Sequence, residues 1–177
     1  MSEAENHKKK EATEKKTIAA IEYLAKKRYC RKPPNFPYAA ALLTYALIER
    51  QIKRYIGYAY PNGPAILKEV IEGKVHYTLG SLIGSKRPAL PILKQKLPHF
   101  KQELVDDRNE VIHYNLYHKS EPAYKLFTPK RHKQHEHYLD VALDHLEWTF
   151  ENYSKYHTFD KNNFELKAKP TESGGKQ

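Results

Sequence analysis

The chain has 177 residues, and 31 Lys and Arg against 21 Asp and Glu give a formal net charge of +10. Hydrophobic residues make up 40% of the chain, enough to form a core, so whole-chain disorder is excluded, and seven Gly and one Cys exclude a collagen or a disulfide-stabilised scaffold. The positive charge indicates an anionic partner such as nucleic acid.

No segment of the sequence is typical of a signal peptide or a membrane span. Residues 1–16 are polar and lack the apolar stretch of a signal peptide. The longest apolar stretch, residues 39–48, is well short of the roughly 20 residues that cross a bilayer. The single cysteine, Cys30, has no partner for an intrachain disulfide, which fits a reducing compartment. We therefore expect a cytoplasmic protein that does not bind membranes.

The chain is predicted to begin with a polar tail and two helices. We expect residues 1–16 to be disordered. Apolar residues spaced three and four apart predict a first helix over residues 18–25, which ends before Pro33 and Pro34. The same spacing predicts a second, long helix over residues 37–58.

The remainder of the chain is also predicted to be helical. Short helices are expected at residues 65–72, 78–83 and 88–96. Proline is favoured at the start of a helix, and it opens two long helices, over residues 98–117 and 129–156. No stretch shows convincing strand alternation. The sequence therefore predicts an all-α helical bundle, with three long helices and short connecting ones, as a domain over residues 17–158 followed by a disordered tail over residues 159–177.

Positive charge is concentrated in the predicted domain and not in the tails. Residues 1–16 hold five Lys and four Glu, and residues 160–177 hold four Lys and three acidic residues. Basic runs lie instead at residues 26–32, 86–101 and 119–133. Phosphate backbones bind such surfaces without sequence preference. The candidate RNA-binding residues are Lys86, Arg87, Lys94, Lys130 and Arg131.

One arginine lies where an apolar residue is expected. On an ideal helix that starts at Leu97, Arg108 lies at about 20°, in the middle of the apolar face that contains Leu104 and Val111. Arginine is seldom buried without a partner. Arg108 therefore either pairs with a carboxylate on a neighbouring helix, such as Glu49, or lines a cleft that binds an anion.

Two further polar residues lie near Arg108 on the same helix. Asn109 and His113 are one turn apart, at the edge of the apolar face. The segment over residues 107–113, DRNEVIH, resembles the signature of the HEPN superfamily, the higher eukaryotes and prokaryotes nucleotide-binding domains. That signature is an Arg, often followed by Asn, with four to six residues between the Arg and a His, on a late helix of an all-α bundle. Here four residues separate Arg108 from His113, and a final helix follows.

The resemblance implies metal-independent cleavage of RNA with no cofactor, by an endoribonuclease of a defence or toxin system. It also implies a homodimer whose two motifs meet in a cleft at the interface. The 2′-OH of RNA is the nucleophile, and His113 would transfer a proton, since an imidazole has an unperturbed pKa of about 6.5. Arg108 would stabilise charge on the phosphorus-centred transition state. Asn109 would orient His113 or hold a phosphate oxygen.

The sequence departs from one HEPN subgroup. Toxins that are paired with a nucleotidyltransferase antitoxin often have a Tyr two residues after the His. Here Tyr114 follows His113 directly, and Asn115 has the other position. An antitoxin partner is therefore expected from the resemblance, but control by modification of that Tyr is not.

Two other classes of function are open from the residues alone. One is a non-catalytic nucleotide-binding or RNA-binding module, since aromatic residues among basic runs suit stacking and phosphate contact. The other is a metalloprotein, since His132, His135, His137 and His145 lie on one predicted helix. Because the run over residues 131–137 is highly polar and flanked by cations, we expect His132, His135 and His137 to lie on a solvated or RNA-facing surface and to bind no metal.

Overall fold

The computed structural model describes residues 3–28, 36–60, 63–65, 68, 97–117 and 129–170. Within these ranges, the description covers the backbone alone for residues 3–7, 9, 113–117 and 129–131. The predicted short helices at 78–83 and 88–96, most of that at 65–72, and the Pro33-Pro34 stop lie outside the described residues.

Four long helices form most of the described structure, which confirms the all-α class. They are α1, Glu3–Lys26; α2, Phe36–Ala59; α3, Gln102–Tyr117; and α4, Pro129–Tyr153. Two short strands follow, β1 over His157–Asp160 and β2 over Glu165–Ala168. Among the described residues, no helix combines the length and apolar character that a bilayer crossing requires.

The expectation of a disordered tail over residues 1–16 is wrong, because α1 begins at Glu3. The helix presents buried Ile18 and Ile21 to the core. It is also held by polar contacts, since the buried carboxylate of Glu14 accepts a hydrogen bond from Gln51 and pairs with Arg54, both in α2. Tertiary contact therefore extends the helix through a polar sequence, and the bundle has four long helices and not three.

The C-terminal tail expected over residues 159–177 is also ordered in part. Strands β1 and β2 pair antiparallel, with Phe159 opposite Leu166. The ring of Phe159 is buried and lies 6.0 Å from that of Phe150 in α4. Phe159 therefore fixes the hairpin to the bundle, together with the partly buried Phe164 and Leu166 that pack against the core. A strand pattern of four residues is too short to predict from sequence.

The core lies where α2 and α4 pack along their length, with α1 and α3 against them. These helices bury isoleucine, leucine and phenylalanine side chains at helical spacing, which is the pattern that predicts them. The central side chains include Ile48, Ile52, Ile56, Leu104, Leu139, Leu146 and Phe150. Burial of these side chains supplies the main driving force for folding.

The three helices predicted to be long, α2, α3 and α4, agree closely with prediction except at two ends. Helix α3 begins at Gln102 and not at Pro98, because His99 has a φ of 64°, which an α-helix does not allow. The turn is held by Tyr153, whose hydroxyl donates a hydrogen bond of 2.8 Å to the carbonyl of Pro98. Helix α4 ends at Tyr153, three residues before the predicted end.

Candidate functional site: the polar face of helix α3

Arg108 projects from α3 toward α2 and is largely buried, with a side chain that is 15% exposed. One guanidinium nitrogen, Nη2, lies 3.8 Å from Oε2 of Glu49 in α2. The other, Nη1, donates a hydrogen bond of 3.1 Å to Oδ1 of the neighbouring Asn109. Arg108 therefore has the carboxylate neighbour expected for an arginine that pairs with a neighbouring helix, and it is also hydrogen-bonded to Asn109, the residue that follows it in the HEPN-like motif.

The contact between Arg108 and Glu49 is a loose ion pair. Its separation of 3.8 Å is well beyond the roughly 2.7–2.9 Å of a charge-assisted hydrogen bond. The Glu49 carboxylate is shared, since Lys53 contacts it at 2.8 Å from the next turn of α2. A guanidinium carries five N–H donors. Such a pair can hold the Arg108 side chain in place and still leave donors for a phosphate oxygen.

The side of α3 that faces α4 carries two carboxylates. Asp107 lies 2.8 Å from Nε2 of His145, a buried histidine of α4. One turn along, Glu110 accepts a hydrogen bond of 3.0 Å from the hydroxyl of Tyr138. These contacts show that α3 and α4 run antiparallel. They leave Arg108 on the neighbouring side, toward α2.

A buried tyrosine lies behind these carboxylates. The ring of Tyr45 is 6.3 Å from that of His145, and its hydroxyl has no hydrogen-bond partner among the described residues. Burial raises the pKa of Tyr45 well above its ordinary value, and the negative charges of Asp107 and Glu110 add to this effect. The phenol therefore stays neutral and is a packing residue with a polar end directed at the seam between α3 and α4.

His113 lies in α3 by its backbone, and its side chain lies outside the described residues. Its Cα is about 7.5 Å along the helix axis from that of Arg108, given a rise of about 1.5 Å per residue. The structure therefore brings Arg108 and Asn109 into direct contact and keeps His113 on the same rigid helix.

The predicted RNA-binding residues divide into two groups. Lys86, Arg87 and Lys94 lie outside the described residues. Lys130 and Arg131 lie in the first turn of α4, where the backbone alone is described. Because α3 and α4 are antiparallel, this turn lies toward the end of α3 that carries His113.

The first basic run, residues 26–32, is partly neutralised within the molecule. Arg28 donates to Asp140 of α4 at 2.7 Å. Lys26 pairs with Glu22 one turn earlier in α1. These contacts assign part of this run to holding the bundle together, which weakens it as an anion-binding surface.

The expectation of a solvated histidine surface is wrong for two of the three residues, since His132 and His135 are buried and only His137 is exposed. His145, two turns further along α4, is buried as well. The error has a physical reason, since His135, Ala142 and His145 lie on the inner stripe of α4, where His135 packs 5.0 Å from the ring of Tyr38. The spacing of three and four residues indicates that these positions face the core, whereas the polar composition of the segment favoured a solvated surface. Among the described residues, no group of three or more His, Cys, Asp or Glu is arranged to hold a metal ion.

Comparison with known protein families, with curated proteins and with solved structures finds no match. The distinctive element of the α3 face is Arg108, which is largely buried and donates a hydrogen bond to Asn109 beside it. Its other neighbour is the carboxylate of Glu49, which Lys53 also contacts.

Proposed function

We propose that this protein is a metal-independent endoribonuclease of the HEPN type, acting as a defence or toxin protein in the cytoplasm. The observation that carries the proposal is the hydrogen bond between Arg108 and Asn109 on a largely buried face of α3. This hydrogen bond and the loose ion pair with Glu49 together hold the guanidinium in position. A cation that is already in position stabilises a developing oxyanion without any reorganisation of the protein during the reaction.

The proposed mechanism needs only groups of the protein and of the RNA. His113 removes the proton from the 2′-OH, and the alkoxide attacks the adjacent phosphorus. Arg108 donates hydrogen bonds to the non-bridging oxygens as negative charge builds up on them. The P–O5′ bond breaks, the 5′-oxygen takes up a proton from water, and His113 releases its proton to solvent. The products are a 2′,3′-cyclic phosphate and a 5′-hydroxyl.

The proposal includes RNA as substrate and a homodimer with the site at its interface. Lys86, Arg87, Lys94, Lys130 and Arg131 hold the RNA backbone in this scheme. The +10 charge of the chain favours such binding, because phosphates release counterions when they meet lysine and arginine. An antitoxin protein would bind and block the same basic surface.

The test is cleavage of single-stranded RNA by the purified protein in excess EDTA. We expect wild type to cleave, and His113→Ala to lose about 10²–10⁴-fold in rate, since this is the usual contribution of a general acid or base. Arg108→Lys, which keeps the charge but not the forked donor geometry, loses a comparable amount. The matched control is His137→Ala, which removes an exposed histidine of α4 and leaves the rate unchanged. Equal cleavage by wild type and His113→Ala would falsify the mechanism.

A second function is favoured by the contact between Arg108 and Glu49. If that ion pair is structural, the protein is a nucleotide-binding or RNA-binding module without catalysis. Arg108→Ala and Glu49→Ala would then lower the melting temperature by similar amounts, and the protein would bind RNA but leave it intact in EDTA. For the ribonuclease, Glu49→Gln keeps both the fold and measurable cleavage, while Arg108→Ala loses cleavage.

A further inference from the structure

A group of aromatic side chains lies at the end of the bundle where α2 and α4 terminate. We call it the aromatic cluster, and it consists of Tyr55, Tyr58, Tyr60, Trp148, Tyr153 and Tyr156. Tyr55 is its centre, with ring centroids 5.4 Å from Tyr58 and 4.8 Å from Tyr153. Trp148 extends it, 5.5 Å from Tyr153 in an edge-to-face arrangement.

Part of this cluster is open to solvent. The structure describes three exposed large hydrophobic residues, and two of them, Tyr58 at 49% and Tyr156 at 48%, belong to the cluster. Tyr156 is close enough to Tyr58 to contribute to the raised pKa of its phenol, which burial takes to about 12. The Tyr58 phenol therefore stays neutral at physiological pH, and both rings expose aromatic surface to solvent.

Lysines border the partly buried ring of Trp148 and the exposed ring of Tyr156. The Nζ of Lys101 lies 5.3 Å from the centroid of the Trp148 ring, and that of Lys155 lies 5.3 Å from the Tyr156 ring. Lys101 and Lys155 are exposed, so each ammonium can move from the ring to a phosphate. The stretch of chain between Trp148 and Lys155, which covers the end of α4, contains one acidic residue, Glu151.

From this geometry we propose that the aromatic cluster is a binding surface for single-stranded RNA, in which bases stack on Tyr58, Trp148 and Tyr156 and Lys101 and Lys155 hold phosphates. Stacking on aromatic rings next to cations is how proteins bind single strands without sequence preference. A second copy of the chain is the less favoured occupant, because it carries the same charge of +10.

The surface also lies near the proposed cleavage site. Lys101, which contacts the Trp148 ring, lies directly before α3 and precedes Arg108 by two helical turns, or about 10 Å along the helix axis. A few nucleotides of RNA therefore span the distance between a base stacked on Trp148 and Arg108. This positioning of the substrate rests on the proposed ribonuclease function, whereas the binding surface does not.

The test uses the fluorescence of Trp148, which is the single tryptophan of the chain. The probe is a short 2′-O-methyl oligouridine, whose blocked 2′-oxygen cannot attack the phosphate, so binding is measured without cleavage. We expect the oligonucleotide to quench Trp148 in the wild-type protein. Tyr156→Ala weakens binding about ten-fold, a typical loss for one stacked base. Lys101→Gln lowers the slope of log K against log salt by about 0.7, the value for one phosphate of a single strand.

The matched control is Tyr23→Ala. Tyr23 is 58% exposed and has Lys27 over its ring at 4.2 Å, but it lies in α1, away from the aromatic cluster. It should leave binding unchanged, and both tyrosine variants should keep the wild-type melting temperature because both rings are exposed. Absence of quenching, or equal losses in the two variants, overturns the proposal.

Two further outcomes separate this surface from its alternatives. If Trp148 emission changes with protein concentration in the absence of oligonucleotide, and Tyr156→Ala abolishes that change, the cluster is an interface between copies and the proposal is wrong. If quenching persists but no RNA is cleaved in EDTA, the binding surface stands and the ribonuclease proposal fails.

Discussion

Arg54 and Glu14 show how charge is used inside this bundle. The carboxylate of Glu14 is buried and contacts both Arg54 and Gln51, and burial lowers the pKa of the Arg54 guanidinium. A buried charge is tolerated when it is paired. If one partner is removed, the other charge stays buried without a partner to compensate for its lost hydration, which destabilises the folded state. Glu14 thereby attaches the N-terminal half of α1 to α2.

Glu14→Ala should lower the free energy of unfolding by about 2 kcal/mol, because hydrogen bonds to charged groups contribute about 1.5–3 kcal/mol each and Arg54 is partly solvated. Urea unfolding followed by circular dichroism measures the change. The control is Glu22→Ala, which removes an exposed pair with Lys26 and should cost less than about 0.5 kcal/mol. Equal effects of the two substitutions would show that the buried contact is not what holds α1.

At the scale of elements, the C-terminal hairpin depends on one carboxylate. Asp160, at the end of β1, accepts hydrogen bonds from the backbone N–H groups of Asn162 and Asn163, and Lys167 of β2 contacts it at 2.6 Å. These donors, Lys167 foremost, hold the pKa of the Asp160 carboxyl well below its ordinary value. The side chain therefore closes the turn in its ionised form.

Asp160→Asn should loosen the hairpin at neutral pH, with an effect that disappears in acid. A carboxyl whose pKa is depressed by folding stabilises the folded state above its unfolded pKa of about 3.9, and this stabilisation is lost as the pH falls through the folded pKa. Amide hydrogen exchange of Asn162 and Asn163 should therefore differ between wild type and variant at about pH 7. Thermal melts of the two should begin to converge below the unfolded pKa of about 3.9 and meet only as the pH falls through the depressed folded pKa. Asp106→Asn, at an exposed position of α3, is the control and should show no such convergence. A constant difference across this range would contradict the assigned role.

At the scale of the whole molecule, α3 packs against a core that is centred on α2 and α4 in the described part of the chain. Arg108 is directed to α2 and Asp107 to α4. In the proposed dimer, the face of α3 that carries Asn109 and His113 meets the partner. A site shared by two protomers exists only in the dimer, and the reaction then depends on protein concentration.

We expect the cleavage rate per protomer to fall when the protein is diluted below its dimer dissociation constant, with an order in protein that approaches two. Initial rates in EDTA across a dilution series, next to sedimentation velocity at the same concentrations, measure this. The control is a protein linked as a tandem dimer through a flexible linker, whose rate per protomer should not change with dilution. A first-order dependence for the unlinked protein, across a range where sedimentation shows dissociation, would disprove the shared site.

The sequence by itself determined the helical class, three of the four long helices to within a few residues, and the burial of a core whose apolar residues repeat at helical spacing. It also singled out Arg108, because an arginine in an apolar stripe is visible on a helical wheel. These features are local, since they depend on residues three and four apart.

Only the tertiary structure decided the rest. Polar residues 3–16 are helical because Glu14 meets Arg54 and Gln51 on another helix, and β1 is ordered because Phe159 reaches Phe150. His135 and His145 of α4 are buried where Tyr38 and Tyr45 of α2 and Asp107 of α3 lie against them. Arg108 has Glu49 as a neighbour, and only the packing of α3 on α2 sets that distance. Each of these outcomes depends on contact between residues far apart in the chain, which helical periodicity does not encode.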